Sequence, residues 1–190
     1  RWGDWLGKLI YGLDYRVYTN KVQAESSSES LIPDATVHPL SLTYSGQITQ
    51  ESRVLSGAIT YAHNIPGGSD GRTEDFTKPG GRAGATANYQ LWRLTASLMQ
   101  SLPADWMLKL AVNGQYTNDA LISGEQFGVG GQDSVRGFYE RQLANDSGLR
   151  GSVEVYTPEL LGRSELKLRA LAFYDAAGLW RNHAQPGEFT

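Results

Sequence analysis

Three groups of residues in this 190-residue chain have types and spacings that could do chemistry. Gly67-Gly68-Ser69-Asp70-Gly71 matches G-x-S-x-G, the elbow that presents a nucleophilic serine in hydrolases. That chemistry needs the serine on a tight turn between a strand and a helix. Here the stretch follows Pro66 in a polar region with no helical pattern behind it, so it reads as a plain loop. The second group is His38, His63 and His183, none with a partner at metal-ligand spacing. Cysteine is absent, which removes disulfides and thiolate metal sites. The third is a glycine-rich run, Gly124-Glu-Gln-Phe-Gly-Val-Gly-Gly-Gln-Asp-Ser-Val-Arg-Gly-Phe138. From the residues alone, Arg136-Gly137 within it reads as an exposed turn. No catalytic set, metal site or cofactor motif emerges, so the chain is not expected to be an enzyme.

The elements that must hold these residues are strands. Trp106, Leu108, Leu110, Val112, Gly114 and Tyr116 alternate with Met107, Lys109, Ala111, Asn113, Gln115 and Thr117. The same period of two runs through Leu9 to Val17, Leu40 to Thr49, Leu55 to Ala62 and Trp92 to Met99. It returns in Leu149 to Tyr156 and Leu166 to Tyr174. A half-buried strand alternates in this way, whereas a helix would repeat near 3.6. Runs of ~9–12 residues suit a tilted strand crossing a hydrocarbon core and are about twice the usual globular strand.

The connections then alternate. Gln50 to Arg53, Ser101 to Asp105 and Thr157 to Glu165 are short; Asn20 to Thr36, Pro66 to Arg82 and Asn118 to Gly148 are long and polar. Short turns on one side and long loops on the other mark outer-membrane barrels. Trp92, Trp106, Tyr116 and Tyr156 stand near strand ends, as interfacial girdles do. Pro39 cannot donate to a ladder and would mark where its strand leaves the membrane. A soluble β-sandwich also alternates, but its inner faces are apolar, and here they are polar. Arg16, Arg93, Lys109, Lys167 and Arg169 fall mostly on those polar faces, either as a positive lumen lining or as a solvated wall.

Composition is consistent with this. Lys+Arg number 17 against 20 Asp+Glu, with no basic face of the kind a nucleic-acid binder shows. No apolar stretch approaches the ~20 residues of a transmembrane helix. Arg1 to Lys8 lack the apolar core of a signal peptide. A mean hydropathy of −0.39 does not oppose a membrane barrel, because only alternate residues face lipid. The expectation is an all-β, transmembrane antiparallel β-barrel, multi-pass in a bacterial outer membrane, with the lipid bilayer as one partner. Single-chain barrels use an even strand number, so about seven strands read as an internal piece of a larger barrel.

Val135-Arg136-Gly137-Phe138 resembles the hallmark of the outer-membrane assembly and secretion superfamily. A second signature, Phe-x-Asp-x-x-Gly, stands at Phe173, Asp175 and Gly178. The family more often has its glycine two after the aspartate, where Ala177 stands, so the departure falls on Gly178 rather than Asp175. The wording around Ser101 to Trp106 and Gly148 to Leu160 is similar to the two-partner-secretion branch, the TpsB transporters of the haemolysin secretion/activation type (ShlB/FhaC/HecB). The specific likeness covers Thr86 to Trp180.

This resemblance implies that residues 1–190 belong to a C-terminal barrel of about 16 strands, preceded by periplasmic domains that bind an unfolded client. It implies that the motif loop folds into the lumen and that Arg136 meets Asp175 on the inner wall. The residues are compatible with that. Asp175 and Phe173 share the parity of Lys167 and Arg169, a guanidinium offers paired donors to a carboxylate, and Gly130, Gly131 and Gly137 permit sharp turns. The implied function is a pore secreting a large exoprotein, a haemolysin or adhesin, with no nucleotide, metal or cofactor and no nucleic-acid partner. The loop would be displaced as the client enters. The alternative with the same fold is a barrel-assembly factor, or the barrel of a passenger-carrying surface antigen. A diffusion porin would have no use for the motif loop.

Overall fold

The computed structural model describes residues 5–21, 31–161 and 166–184. Parts of the connections expected over Asn20 to Thr36 and Thr157 to Glu165, and half of the Arg1 to Lys8 stretch, lie outside the described residues. One seven-stranded antiparallel sheet dominates, its strands neighbours in chain order. They are β1 (Leu6–Leu13), β2 (Pro39–Gln50), β3 (Arg53–Asn64), β4 (Gln90–Ser101), β5 (Met107–Tyr116), β6 (Ser147–Tyr156) and β7 (Leu171–Trp180). Among the described residues β1 and β7 are edges, so the sheet is open.

Register converts the alternation into two faces, because a strand's side chains point to opposite sides in turn. Leu98 lies opposite Leu55 and Leu110, Leu110 opposite Val153, and Val153 opposite Tyr174. This outer face is apolar yet exposed, with Leu94, Val112, Val153 and Tyr174 all open. Aromatics mark its ends. Tyr61 and Trp92 meet in a tilted ring contact at 5.0 Å near the long loops, and the Trp5 indole donates to the Tyr44 hydroxyl toward the turns (2.7 Å). The inner face carries Thr43, Ser45, Ser56, Thr60, Ser97 and Asn113. Hydroxyl pairs cross it at Thr43–Thr60 (2.7 Å) and Ser56–Ser97 (2.8 Å).

The structure departs from the sequence reading in four places. The first strand stops at Leu13, not Val17: the Asp14 amide bonds the Pro39 carbonyl, and β2 has no proline N–H with which to continue the ladder. Arg16–Tyr18 instead pairs with Ala35–Val37 as a separate ribbon. The last strand begins at Leu171, not Leu166; before it the pairing is irregular, with the Ala170 amide turned to the Thr157 hydroxyl, and among the described residues the backbone bonds there are Thr157–Ala170 and Leu160–Leu168. Tyr156 is no girdle residue: it faces inward, its hydroxyl on Glu154 (2.7 Å). The Gly67–Gly71 turn is followed by a helix after all, α1 (Thr73–Phe76), but of a single turn and with Ser69 exposed.

At the long-loop end, the loops pack on the inward residues Ala62 and Leu91 as a small core including Val37, Phe76, Tyr89 and Leu121. This layer roofs the inner face at that end. Its apolar contacts give the motif loop a fixed base.

Candidate functional site

The motif loop leaves β5 at Tyr116 and returns at Ser147. Its middle narrows to a stem in which Phe127–Val129 pairs with Leu143–Asn145. Beyond the stem, residues 130–142 form a compact tip held by its own bonds. The Gly131 amide donates to the Phe138 carbonyl (3.1 Å), and the Ser134 hydroxyl accepts the Gly130 amide (3.2 Å). Gly130 is required here: its φ is +109°, and a Cβ would run into the Tyr139 carbonyl. Gly137, at φ +90°, turns the chain just after Arg136.

That turn lays the Arg136 side chain on the inner wall of β6 and β7. Its Nε donates to Asp175 Oδ2 and its Nη2 to Asp175 Oδ1, both at 2.7 Å, and the Arg136 amide adds a third bond at 3.1 Å. The remaining edge of the guanidinium reaches Glu154 Oε1 (2.7 Å) and the Ser152 hydroxyl (3.0 Å). Its flat face lies 3.6 Å from the Phe173 ring centre, a cation–π contact. Register explains the assembly: Ser152 stands opposite Asp175, Glu154 opposite Phe173, and Lys109 opposite Glu154. Lys109 completes the cluster at 3.2 Å from Glu154. Two cations therefore face two carboxylates. The Asp175 side chain is only 2% exposed and that of Arg136 20%.

The structure thus brings Arg136, Phe173 and Asp175 together. Val135 is half-buried in the tip, whereas Phe138 is exposed. Gly131 takes its positive φ beside Gly130. Gly178 stands apart from the Arg136 cluster: it lies opposite Leu149 on the outer face, where an added Cβ would meet the Trp180 ring.

Sequence reasoning overlooked two further clusters at the foot of the loop. The Glu125 side chain, 1% exposed, accepts Arg16 Nη1 (2.6 Å), the Tyr18 hydroxyl (2.6 Å) and Arg93 Nη2 (3.2 Å). The Asp146 side chain, fully buried, is gripped by both Arg82 terminal nitrogens (2.8 and 2.7 Å) and by the Leu121 and Asn182 amides. Glu125 lay in plain view inside the glycine-rich run. Asp146 had no local signal, since Arg82 stands 64 residues away. Burial pushes the Tyr18 phenol above the ordinary tyrosine range, and its bond to Glu125 adds to the shift.

These clusters absorb most of the basic residues on the polar faces. Arg16 and Arg93 are committed to Glu125, Lys109 to Glu154, and Arg169 to Asp105. Much of the positive lumen lining is therefore reduced to neutralised pairs, with Lys8 and Arg150 on the inner face outside them. Beside the clusters the wall is mostly polar, with a groove of about 470 Å³ bounded by Ser45, Gln47, Ser56, Thr95, Ser97 and Asn113 and carrying one charged side chain, Lys8. Among the described residues no three His, Asp or Glu side chains gather as a metal site.

A family model described as haemolysin secretion/activation protein ShlB/FhaC/HecB matches residues 13–188. Among solved structures the chain is similar to CdiB from Acinetobacter baumannii, with a TM-score of 0.58 and 20% identity. That match covers 81% of this chain and 25% of CdiB, so the chain spans about a quarter of its length. No curated protein sequence matches.

Proposed function

Because the chain belongs to the haemolysin secretion/activation family ShlB/FhaC/HecB, outer-membrane transport proteins and not enzymes, we propose that it forms part of the pore through which one large exoprotein leaves the cell. In this reading the sheet is an arc of a barrel of about 16 strands, its apolar face against lipid, placed C-terminal to periplasmic domains that receive the unfolded client. The observation that carries it is the Arg136 tip bonded to Asp175 and Glu154 on a wall lined mainly by hydroxyl and amide side chains, with few charges outside the clusters. Such a wall offers hydrogen bonds to any extended backbone and no strong site at which to hold it. The Arg136 cluster then acts as a latch: it keeps the loop in the lumen at rest and is shifted when the client enters. Passage uses no nucleotide or metal.

The test compares culture supernatants of the parent strain, a strain lacking the full-length transporter, and one carrying Arg136→Ala. One large protein should vanish from the supernatant in the deletion and fall sharply in Arg136→Ala, with barrel abundance unchanged. An unchanged supernatant, with other barrels depleted from the outer membrane instead, would replace export by barrel assembly.

A further inference from the structure

The motif loop is fastened at three places of different strength. We propose that Glu125 and Asp146 are positioning residues that clamp the feet of the loop, so that opening the Arg136 latch frees only the tip, residues 130–142. The inference rests on the reading of Arg136 as a latch that shifts during passage, and it names the part that moves.

The feet are held by groups from far-removed parts of the chain. Glu125 is bound by Arg16 and Tyr18 of the ribbon after β1 and by Arg93 of β4. Asp146 is bound by Arg82, from the loop between β3 and β4, and by the Asn182 amide beyond β7. Gln115, pointing inward from β5, joins the two. Its side-chain amide donates to the Glu125 carbonyl (2.9 Å) and the Asp146 carbonyl (3.0 Å), and its oxygen accepts Arg93 Nε (2.9 Å). Removing one partner from a buried, hydrogen-bonded charge leaves the other uncompensated, so such clamps resist opening.

The tip is held differently. Among the described residues Arg136 alone bonds it to the barrel wall; Arg141 reaches only the Ser123 and Gln126 carbonyls of the foot, at 3.2 and 3.3 Å. Its remaining bonds are internal, so it can travel as a unit. The first two residues of the tip, where it joins the stem, are Gly130 and Gly131, at φ +109° and +94°. Two adjacent glycines can absorb a large backbone rotation, as hinge residues do. A client that displaces Arg136 would therefore swing the tip aside while the stem stays on the wall.

The test uses the full-length protein in lipid nanodiscs without client, with pairs of nitroxide labels on introduced cysteines. One pair, at Asp133 and Ser45, reports tip to wall; the other, at Ser123 and Ser45, reports foot to wall. Arg136→Ala should broaden the tip distances and leave the foot distances narrow. Glu125→Gln should broaden the foot distances, and Arg16→Gln, which removes one of the two cations, should do the same should the first variant fail to assemble. A general loss of stability would broaden both pairs in every variant, so the split between pairs separates positioning from mere folding. Foot distances that broaden in Arg136→Ala, or stay narrow in Glu125→Gln or Arg16→Gln, overturn the proposal. With no client present, that failure would leave the export reading standing, and an unchanged supernatant would leave these distances unaltered.

Discussion

The two sides of the Arg136 cluster are unequal, and the inequality can be measured. Asp175 has one side-chain cation, Arg136, and its own side chain is almost fully buried. Arg136→Ala leaves that carboxylate with the residue-136 amide and no counter-charge, the situation that costs ~3–5 kcal/mol in buried pairs. Partial exposure of the guanidinium places the loss at about 3 kcal/mol, or roughly a hundredfold in the open population of the tip. Asp175→Ala is milder, because Arg136 keeps Glu154, Ser152 and the Phe173 face. Losing the better of two carboxylate partners should cost about 1.5 kcal/mol, roughly tenfold. Glu154→Gln should cost least, since Arg136 retains both bonds to Asp175. Trypsin cleavage after Arg141, inside the tip, reports the open population when opening is fast relative to cutting. Rates measured by mass spectrometry on the folded, full-length protein should rank Arg136→Ala above Asp175→Ala above Glu154→Gln. The double variant should be little faster than Arg136→Ala, because the residues act as one unit. If Asp175→Ala is cut as fast as Arg136→Ala or faster, Glu154 does not share the cation and the reasoning fails.

Neighbouring residues of β4 test the two faces: Leu98→Arg should destabilise the barrel in lipid vesicles by ~2–4 kcal/mol, whereas inward-facing Ser97→Arg should stay within about 0.5 kcal/mol. Urea titration of both decides it, and equal losses would mean that the faces are misassigned. Gly130→Ala costs ~1–2 kcal/mol for the backbone conformation alone, adds a clash of its Cβ with the Tyr139 carbonyl, and should speed trypsin cleavage at Arg141; an unchanged rate would show that the tip does not need this turn. The raised Tyr18 phenol favours the neutral, donating form in the folded state. Its stabilisation is therefore complete below the ordinary tyrosine value of ~10 and lost as pH climbs through the higher folded value. Foot-to-wall label distances should broaden at high pH in the parent, and Tyr18→Phe should remove that dependence.

The faces of the sheet were legible because alternation is a local property. Leu108, Leu110 and Val112 share a side whatever else the chain does, and the period alone separates them from Lys109, Ala111 and Asn113. Strand ends were less legible. Leu166 to Ala170 alternate like the strand that follows, yet the ladder starts at Leu171, because the Ala170 amide bonds the Thr157 hydroxyl and the Leu168 amide the Glu159 carboxylate instead of backbone carbonyls across the pair. Tyr156 looked like a girdle aromatic, since its type suits an interface. Only its register opposite Met107 and Leu171 shows that it points at Glu154.

The amino-acid sequence by itself determined the strand period, the alternation of short turns and long loops, and the presence of an arginine in a glycine-rich tip with an aspartate on a later strand. These follow from residue type and short-range spacing, which the chain carries in any conformation. Only the tertiary structure decided which charges meet. Arg136 divides its donors between Asp175 and Glu154 because antiparallel register puts β6 beside β7 with Ser152 facing Asp175. Arg16, Arg93 and Glu125 meet because three separate segments converge on one buried carboxylate. Arg82 and Asp146 are 64 residues apart and find each other only once the loops have folded over the inner wall. An ion pair is a contact between atoms a few ångströms apart, and distance along the chain carries almost no information about it.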